Sequence, residues 1–364
     1  MRTYLRLALL FTLSCGLGSP TFAQPSAKTP EIARIGRYVA IDNVCAWPNL
    51  TVMPDGTIVA TIFNKPSHGR MEGDVECWVS KEGAFWTRRG VAAPHEPMKN
   101  RMNVAAGLSS AGDLVVIASG WTLKRDQAGS LILGEVIAPC TSRSRDGETW
   151  TVTTQAIPPA NEKQSQFIPF GDILAAEDGS LRATAYVADP PKSDQVSMLR
   201  SDDEGKTWKV LALISDEHNE TAILHLGKGK WIAAARRGSK KPGAIDLFRS
   251  DDDGQHWKNS GQVGGPAQLP AHLLRLKDGR VLLTAGNRVK GQFGVVAQLS
   301  SDEGMTWSEP SPLVADLSSG DCGYPSSIQR PDGSIVTAYY AAGAPSHQRY
   351  HMGTLIWKLP IAAH

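Results

Sequence analysis

Five residues that can move protons or bind anions stand near the ends of apolar segments: Tyr324, Glu220, Arg236, Arg288 and His272. A tyrosine phenol ordinarily has a pKa of about 10, so it becomes a nucleophile only when a neighbouring base takes its proton. Guanidinium groups close to it would help, and they would also bind an acidic ligand. A histidine and a tyrosine can instead act as base and acid around a carbon activated by a carboxylate. These residue types therefore predict chemistry on an anionic substrate.

Strands must position these residues, and their register decides which side chains share a site. Arg236 and Arg237 are consecutive, so in a regular strand they point to opposite faces and at most one can face a common cavity. His272, within Pro270–Leu274, opens an apolar segment, and Asp321 precedes the loop that carries the tyrosine. We keep all of these residues as candidates for substrate contacts.

A repeated turn motif sets the spacing of the strands. It reads Ser-x-Asp-x-Gly-x-x-Trp, and two further copies are one residue shorter. The copies, called Asp boxes below, are Ser80–Trp86, Ser144–Trp150, Ser201–Trp208, Ser250–Trp257 and Ser300–Trp307. The acidic side chain accepts hydrogen bonds from the turn's own amides, glycine supplies a positive φ, and tryptophan folds back under the loop. Five hairpin tips are therefore predicted.

A second repeat alternates with the Asp boxes: an apolar segment, a polar turn that is usually Asp-Gly, and another apolar segment. Its copies are Pro48–Phe63, Asn103–Trp121, Phe170–Ala188, Thr221–Arg237, His272–Arg288 and Pro325–Ala342. Each predicts a hairpin of two inner strands. The last copy has no Asp box after it, so a strand near Ile35–Ile41 is expected to complete that unit and close a ring. The predicted fold class is all-β, a six-bladed β-propeller with Asp-box hairpins.

The first residues do not fit the repeats. Arg2 and Arg6 precede the apolar run Leu7–Leu13, and small residues follow up to Ala23. This order is typical of a secretory signal peptide, and the run is too short to span a bilayer. We expect cleavage after Ala23, which leaves residues 24–364 as a single exported domain, periplasmic or secreted. A lipid anchor at Cys15 is the less favoured alternative.

Charge and cysteine content exclude several classes of protein. The net charge of +2 argues against a nucleic-acid-binding surface, and no later segment is apolar enough to cross a membrane. Four cysteines follow the expected cleavage site: Cys45, Cys77, Cys140 and Cys322. Export permits a disulfide between Cys45 and Cys77, and free buried thiols are an equal alternative. The spacing of the cysteines fits no zinc motif, and we expect neither a metal nor another cofactor.

The Asp boxes and the hairpins that precede them resemble the sialidase superfamily of propellers, over essentially the whole mature chain. The boxes predict the fold rather than the activity, because other propellers carry them too. The resemblance implies a tyrosine nucleophile paired with a glutamate. It also implies an aspartate as acid/base, and three arginines that bind the carboxylate of the substrate. Tyrosine replaces the usual carboxylate nucleophile because a carboxylate would repel an acidic sugar.

The resemblance assigns roles to particular residues. Tyr324, in Gly323–Ser327, stands in the place of the nucleophile, and Glu220 stands sixteen residues before Arg236, in the places of the paired glutamate and the second arginine. Arg288 fits the third arginine.

The family's acid/base aspartate lies in the loop before the first box. That loop here is His68–Glu76, in which Asp74 is the preferred candidate and Glu72 the next. His68 itself is a candidate substrate contact.

The place of the family's first arginine is a departure from the pattern. In the stretch Cys45–Pro48, Ala46 occupies it. The missing contact, a bidentate pair between arginine and carboxylate, contributes about 1.5–3 kcal/mol. We expect Arg101, at the start of the second inner hairpin, to replace it.

Together these features predict a monomeric, exo-acting glycoside hydrolase that removes a terminal anionic sugar from a glycan. The first alternative is a polysaccharide lyase, or another glycosidase, acting on glycans that contain uronic acid. The second is a carbohydrate-binding propeller without turnover, which would lack the pairing of tyrosine with glutamate.

Overall fold

The computed structural model describes residues 29–188, 194–238 and 243–360. These residues form strands and turns without an α-helix, so no helix among them could cross a membrane. The expected signal peptide, residues 1–23, lies outside the described residues. The strands are β1 (Ala33–Asp42), β2 (Ala46–Val52), β3 (Ile58–Phe63), β4 (Val75–Ser80), β5 (Thr87–Ala93), β6 (Asn103–Leu108), β7 (Leu114–Arg125), β8 (Leu131–Ser144), β9 (Thr151–Thr153), β10 (Ile168–Ala175), β11 (Leu181–Val187), β12 (Gln195–Ser201), β13 (Lys209–Ser215), β14 (His218–Gly227), β15 (Lys230–Arg237), β16 (Ile245–Ser250), β17 (Lys258–Val263), β18 (Gln268–Arg275), β19 (Val281–Asn287), β20 (Gly294–Ser300), β21 (Ser311–Val314), β22 (Cys322–Gln329), β23 (Ile335–Ala341) and β24 (His351–Lys358).

Within the described residues the strands pair as consecutive antiparallel units of four. Unit 1 is β2–β5, unit 2 is β6–β9, unit 3 is β10–β13, unit 4 is β14–β17, unit 5 is β18–β21, and unit 6 is β22–β24 with β1. A short parallel pairing between β6 and β10 joins units 2 and 3 into one sheet of eight strands. The first two strands of each unit are the six predicted inner hairpins, which the antiparallel registers confirm. The predicted N-terminal strand is also confirmed, because β1 pairs with β24.

The core lies between units rather than inside any one of them. A buried apolar cluster joins units 1 and 2, and others join 2 to 3, 3 to 4, 4 to 5, and 5 to 6. A further cluster joins unit 6 back to unit 1 through residues such as Phe63, Val336 and Tyr340. The first strands follow the same order, since each contacts the first strand of the next unit and β22 contacts β2. The starts of the six first strands therefore face one another.

The Asp boxes lie where the sequence predicts them, between the last two strands of units 1 to 5. In the fifth box, Ser300 Oγ accepts the Gly304 amide at 2.7 Å and Asp302 accepts the Thr306 amide at 2.9 Å. Gly304 has a φ of 82°, and its carbonyl accepts the indole N–H of Trp307 at 3.1 Å. Because these bonds all fall within eight residues, the motif alone specifies the turn.

All four cysteines of the described chain are buried free thiols, which decides between the two alternatives left open by the sequence. Burial raises the pKa of the Cys77 thiol to about 12 and that of Cys322 to about 11. A thiol that keeps its proton is a poor nucleophile, so these cysteines are structural.

Candidate active site

A cavity of about 200 Å³ opens where the first strands begin. Its polar wall includes Tyr324, Glu220, His272, Asn49 and His68. Its apolar lining includes Trp47, Met102, Trp121, Leu133 and Phe170. Because the walls come from all six units, side chains far apart in sequence meet at one point.

The backbone at Tyr324 is held in an unusual conformation. Tyr324 has a φ of 49°, in the left-handed region that is costly for residues other than glycine. The preceding Gly323 has a φ of 104°, and a Cβ there would lie 2.7 Å from Gly286 Cα, so no larger residue fits. Such strain, of the order of 1–3 kcal/mol, is typical of functional sites and turns the tyrosine ring into the cavity.

Tyr324, Glu220 and Arg236 form one hydrogen-bonded group. The Tyr324 hydroxyl donates to Glu220 Oε1, and Arg236 Nη1 donates to Glu220 Oε2. Arg236 Nη1 also lies 3.2 Å from the Tyr324 hydroxyl oxygen. The tyrosine and glutamate are separated by 104 residues of sequence, so the pairing exists only in the folded chain.

The charges in this group keep the phenol protonated until a base acts. Burial and the negative charge of Glu220 raise the pKa of Tyr324 well above its ordinary value, while Arg236 and Arg288 oppose the rise. Burial alone would lower the pKa of Arg236, but the charges of Glu220 and Tyr324 raise it, so the guanidinium stays charged. The resting state is thus a neutral phenol poised on a carboxylate that can accept its proton.

Arg288 supplies a second cation beside the phenol. Its guanidinium carbon lies 5.6 Å from the centre of the Tyr324 ring, a cation–π contact. Its Nε and Nη2 are buried and have no hydrogen-bond partner among the described residues. Neither Arg288 nor Arg236 is part of the cavity wall, so both act on the cavity through the tyrosine and glutamate that are.

The site of the missing first arginine is closed by apolar groups. Ala46 is fully buried with a φ of 62°, and Trp47 follows with a φ of 45°. The Trp47 ring stacks on Phe63 at 5.8 Å and meets the edge of His68 at 5.0 Å. An aromatic surface therefore stands where the family pattern has a charge.

Arg101 does not supply that charge, and this corrects the expectation from the sequence. Its guanidinium donates to Glu96 at 2.9 Å and to the Ala138 carbonyl at 2.8 Å, and the side chain is outside the cavity wall. Arg237 also points away, because it pairs with both oxygens of Asp246 on the other face of β15. Of the two consecutive arginines, Arg236 alone joins the tyrosine.

The two candidate acids lie on the loop between β3 and β4. Asp74 Oδ1 accepts the His95 backbone amide at 2.8 Å and lies 2.6 Å from its Nδ1. Glu72 lies 3.7 Å from Nε2 of the same histidine. Neither carboxylate lines the cavity, whereas His68 of the same loop does. His95 was not predicted, and nothing in its sequence context marks it.

Asp321 does not line the cavity; its carboxylate connects three side chains next to it. Its carboxylate lies 3.0 Å from His68 Nδ1 and accepts hydrogen bonds from the Tyr340 hydroxyl, at 2.7 Å, and from the Tyr350 hydroxyl. Burial alone would raise the pKa of Asp321, but the bonds with His68, Tyr350 and Tyr340 lower it below the usual range. These bonds fix the loop before Tyr324.

Asp172 and Asn49 join the site, although they were not predicted from the sequence. His272 Nε2 lies 3.0 Å from Asp172 Oδ2, and Asn49 Nδ2 donates to Asp172 Oδ1 at 2.9 Å. Asp172 and Asn49 each stand within an inner strand of the repeat pattern. A polar residue inside an apolar inner strand is the signal that could have found both.

Comparison with known proteins assigns the family. Residues 56–337 match the BNR repeat-like domain. The chain belongs to that family. No curated protein sequence matches it significantly.

Solved structures resemble this fold. A protein of unknown function from Dyadobacter fermentans DSM 18053 superposes with a TM-score of 0.76 at 22% identity, covering 91% of this chain and 100% of that one. The NanB sialidase from Streptococcus pneumoniae gives 0.66 at 15%, covering 93% and 70%. Trypanosoma rangeli sialidase gives 0.63 at 14%, covering 87% and 55%, so this chain spans about half of that protein. These likenesses establish a sialidase-like all-β fold.

Proposed function

We propose that this BNR-repeat protein is an exo-acting glycoside hydrolase that removes a terminal anionic sugar from a glycan, with Tyr324 as nucleophile. The observation that carries the proposal is the hydrogen bond from the Tyr324 hydroxyl to Glu220, with Arg236 bonded to both residues. A buried phenol with no acid–base task needs one partner, whereas this one has a base and two cations. The proposal includes a six-bladed propeller, which the six four-stranded units and the contact of β22 with β2 support.

The steps of the proposed reaction balance as a double displacement. The Tyr324 oxygen attacks the anomeric carbon while its proton passes to Glu220, and the bond to the leaving oxygen breaks. An acid protonates that oxygen, and we assign this to Asp74, with Glu72 as its neighbour; both lie outside the cavity wall, on the loop that brings His68 into it. Water then attacks the anomeric carbon, gives a proton to the acid, and Tyr324 regains its proton from Glu220.

Binding of an anionic sugar is assigned to two arginines. Arg236 and Arg288 flank the phenol, and their positive charges favour an acidic ligand held against Tyr324. Because Ala46 and Trp47 stand in the place of a third arginine, the proposal covers acidic sugars broadly and does not require sialic acid. The expected location is outside the cytoplasm, and the expected state is a monomer.

A lyase is the second candidate, because His272 and Tyr324 line the same cavity. His272 would take a proton beside a uronic carboxylate, and Tyr324 would protonate the leaving oxygen. This route forms a carbon–carbon double bond and consumes no water.

One experiment separates these candidates. The purified mature chain is incubated with a panel of glycans ending in sialic, glucuronic or galacturonic acid. Release of the free sugar and the ultraviolet absorbance of a new conjugated double bond are followed together. Free acidic sugar without absorbance supports the hydrolase, and absorbance supports the lyase. Binding without either product, in a preparation that is folded, contradicts both and indicates a binding protein.

A further inference from the structure

Asp172 lies at the centre of a polar cluster for which the reaction above has no use. Its two carboxylate oxygens contact different side chains: Oδ1 accepts from Asn49 Nδ2 at 2.9 Å, and Oδ2 lies 3.0 Å from His272 Nε2. Asn49 is on β2, Asp172 on β10 and His272 on β18, in units 1, 3 and 5. Side chains of alternate units can touch only near the common centre of the first strands.

Asp172 fixes the orientation of the Asn49 amide. The Asn49 nitrogen also donates to the Gly171 carbonyl at 2.9 Å, and both of its partners can only accept hydrogen bonds. The amide oxygen must therefore point the other way. This Oδ1 is buried and has no partner among the described residues.

Asp172 fixes the His272 ring in the same manner. Nε2 carries the hydrogen that is donated to the carboxylate, so in the neutral ring Nδ1 carries the lone pair. Nδ1 is likewise buried without a partner in the described chain, and only 6% of the side chain is exposed. Leaving a buried acceptor unpaired costs about 1–3 kcal/mol, and both of these acceptors belong to residues that line the cavity.

His272 lies further along its strand than Glu220 does along the first strand of the neighbouring unit. In both β14 and β18 an irregularity interrupts the register near the start of the strand, between His218 and Thr221 and between Gln268 and Ala271. Glu220 lies within the first irregularity, whereas His272 follows the second. Counted from the ends of these irregularities, His272 lies two residues beyond the position that is equivalent to Glu220. Two residues of a strand span about 7 Å.

We propose that Asn49 Oδ1 and His272 Nδ1 bind two hydroxyl groups of the sugar, on the side remote from the bond that is cleaved. Asp172 is the positioning residue that makes both side chains present acceptors. The inference rests on the proposed function, because an exo-acting enzyme takes the terminal sugar into the cavity with its far side deepest. The site thus selects polyhydroxylated sugars and rejects deoxy analogues.

Calorimetric titration of the mature chain tests this site. The probes are glucuronic acid, galacturonic acid and N-acetylneuraminic acid, with glucose and galactose as neutral counterparts, and monodeoxy forms of each sugar that binds. The variants are His272→Phe and Asn49→Leu. The matched control is His225→Phe, because His225 stacks on Trp231 at 4.5 Å and also has an unpartnered ring nitrogen, but lies outside the cavity wall.

We expect His272→Phe and Asn49→Leu each to weaken binding about 10- to 100-fold, as for one lost hydrogen bond that leaves a buried polar group unpaired. His225→Phe should bind like the unmodified chain. The monodeoxy sugar that lacks the hydroxyl bound by His272 should bind the unmodified chain weakly. Its affinity should fall little further in His272→Phe, because the hydroxyl and the acceptor that are removed are partners in one hydrogen bond.

Asp172→Asn guards against loss of folding. It keeps the shape of the side chain but replaces one acceptor oxygen with an amide nitrogen, which must face either Asn49 Nδ2 or His272 Nε2, so one of the two orientations is lost. Binding should therefore weaken while the melting temperature changes less than for Asp172→Ala. Equal affinity of the folded variants and the unmodified chain would overturn the inference and leave the hydrolase proposal standing. Binding of neutral but not acidic sugars, weakened by His272→Phe, would support the site and contradict the anionic substrate. No binding of any probe by the unmodified chain contradicts both.

Discussion

Arg236 and Arg237 offer a paired test of what an ion pair does in this fold. They are neighbours on β15, each is 25% exposed, and each bonds a carboxylate that is about 90% buried. Arg236 donates hydrogen bonds to Glu220 and Tyr324, whereas Arg237 donates to Asp246 on the opposite face of the strand. Neither arginine lines the cavity, but Arg236→Met removes the charge beside Tyr324 and Glu220, which do, and Arg237→Met removes one on the opposite face of the strand.

Both substitutions should destabilise the fold, Arg237→Met by less, because Asp246 still lies 2.9 Å from His218 Nε2 after the arginine is removed. Removing one partner of a largely buried pair costs about 3–5 kcal/mol, mostly because the other charge is left unpaired. An unfolding entropy of about 2.1 cal/mol/K per residue over about 330 residues gives about 0.7 kcal/mol per kelvin. The expected fall in melting temperature is thus about 4–7 °C for Arg236→Met and smaller for Arg237→Met. Adding Glu220→Gln to Arg236→Met should recover part of it.

Their effects on catalysis should differ sharply. Arg236→Met removes the cation next to the phenol and should lower kcat about 10²- to 10³-fold, the range for loss of one preorganised donor. Arg237→Met should keep kcat within about threefold of the unmodified enzyme, which is under 1 kcal/mol in the barrier. Scanning calorimetry and initial rates on the glycan identified by the panel measure both quantities. Equal loss of activity in the two variants would refute the assignment of separate roles.

Three further outcomes follow from the contacts described. Asp302→Ala, which removes the Thr306 bonds of the fifth Asp box, should lower stability by about 1 kcal/mol and leave kcat unchanged; an activity loss with intact stability would contradict the structural role. The four thiols should react with a disulfide reagent only after denaturation, and fast labelling of Cys77 in the native protein would contradict its burial. The pKa of Asp321 is lower in the folded than in the unfolded chain. Its carboxylate therefore stabilises the fold when the pH is above the unfolded-state pKa, and this stabilisation is lost as the pH falls toward the folded-state pKa. The gap in melting temperature between Asp321→Asn and the unmodified protein should therefore be widest near neutral pH and narrow below about pH 4; a gap that widens in acid would show the opposite sign.

How far the sequence predicts this protein depends on the distance between interacting residues. The Asp boxes and inner hairpins follow from short patterns, since a turn such as Ser300–Trp307 makes its hydrogen bonds within itself. The partnership of Tyr324 with Glu220 spans 104 residues, and spacing alone could not predict it; the family resemblance did.

The errors and omissions have physical causes as well. Arg101 was expected in the cavity because it stands at the start of an inner hairpin, but Glu96, five residues earlier, holds its buried guanidinium in a structural ion pair. Asp172 contacts Asn49 and His272 at separations of 123 and 100 residues. Only the arrangement of alternate units brings such residues together, so a linear pattern does not reveal them.

The proposed hydrolysis requires the Tyr324 oxygen to form a covalent bond to the sugar. The most direct measurement uses peptide mass spectrometry after incubation with a substrate analogue that carries fluorine beside the anomeric carbon, which slows breakdown of the intermediate. Tyr339→Phe serves as control, because Tyr339 bonds Arg37 outside the cavity wall. If Tyr324 is the nucleophile, we expect a sugar adduct on Tyr324 in the unmodified chain and in Tyr339→Phe. We expect neither adduct nor turnover in Tyr324→Phe. Full turnover by Tyr324→Phe, or an adduct on another residue, would contradict this assignment.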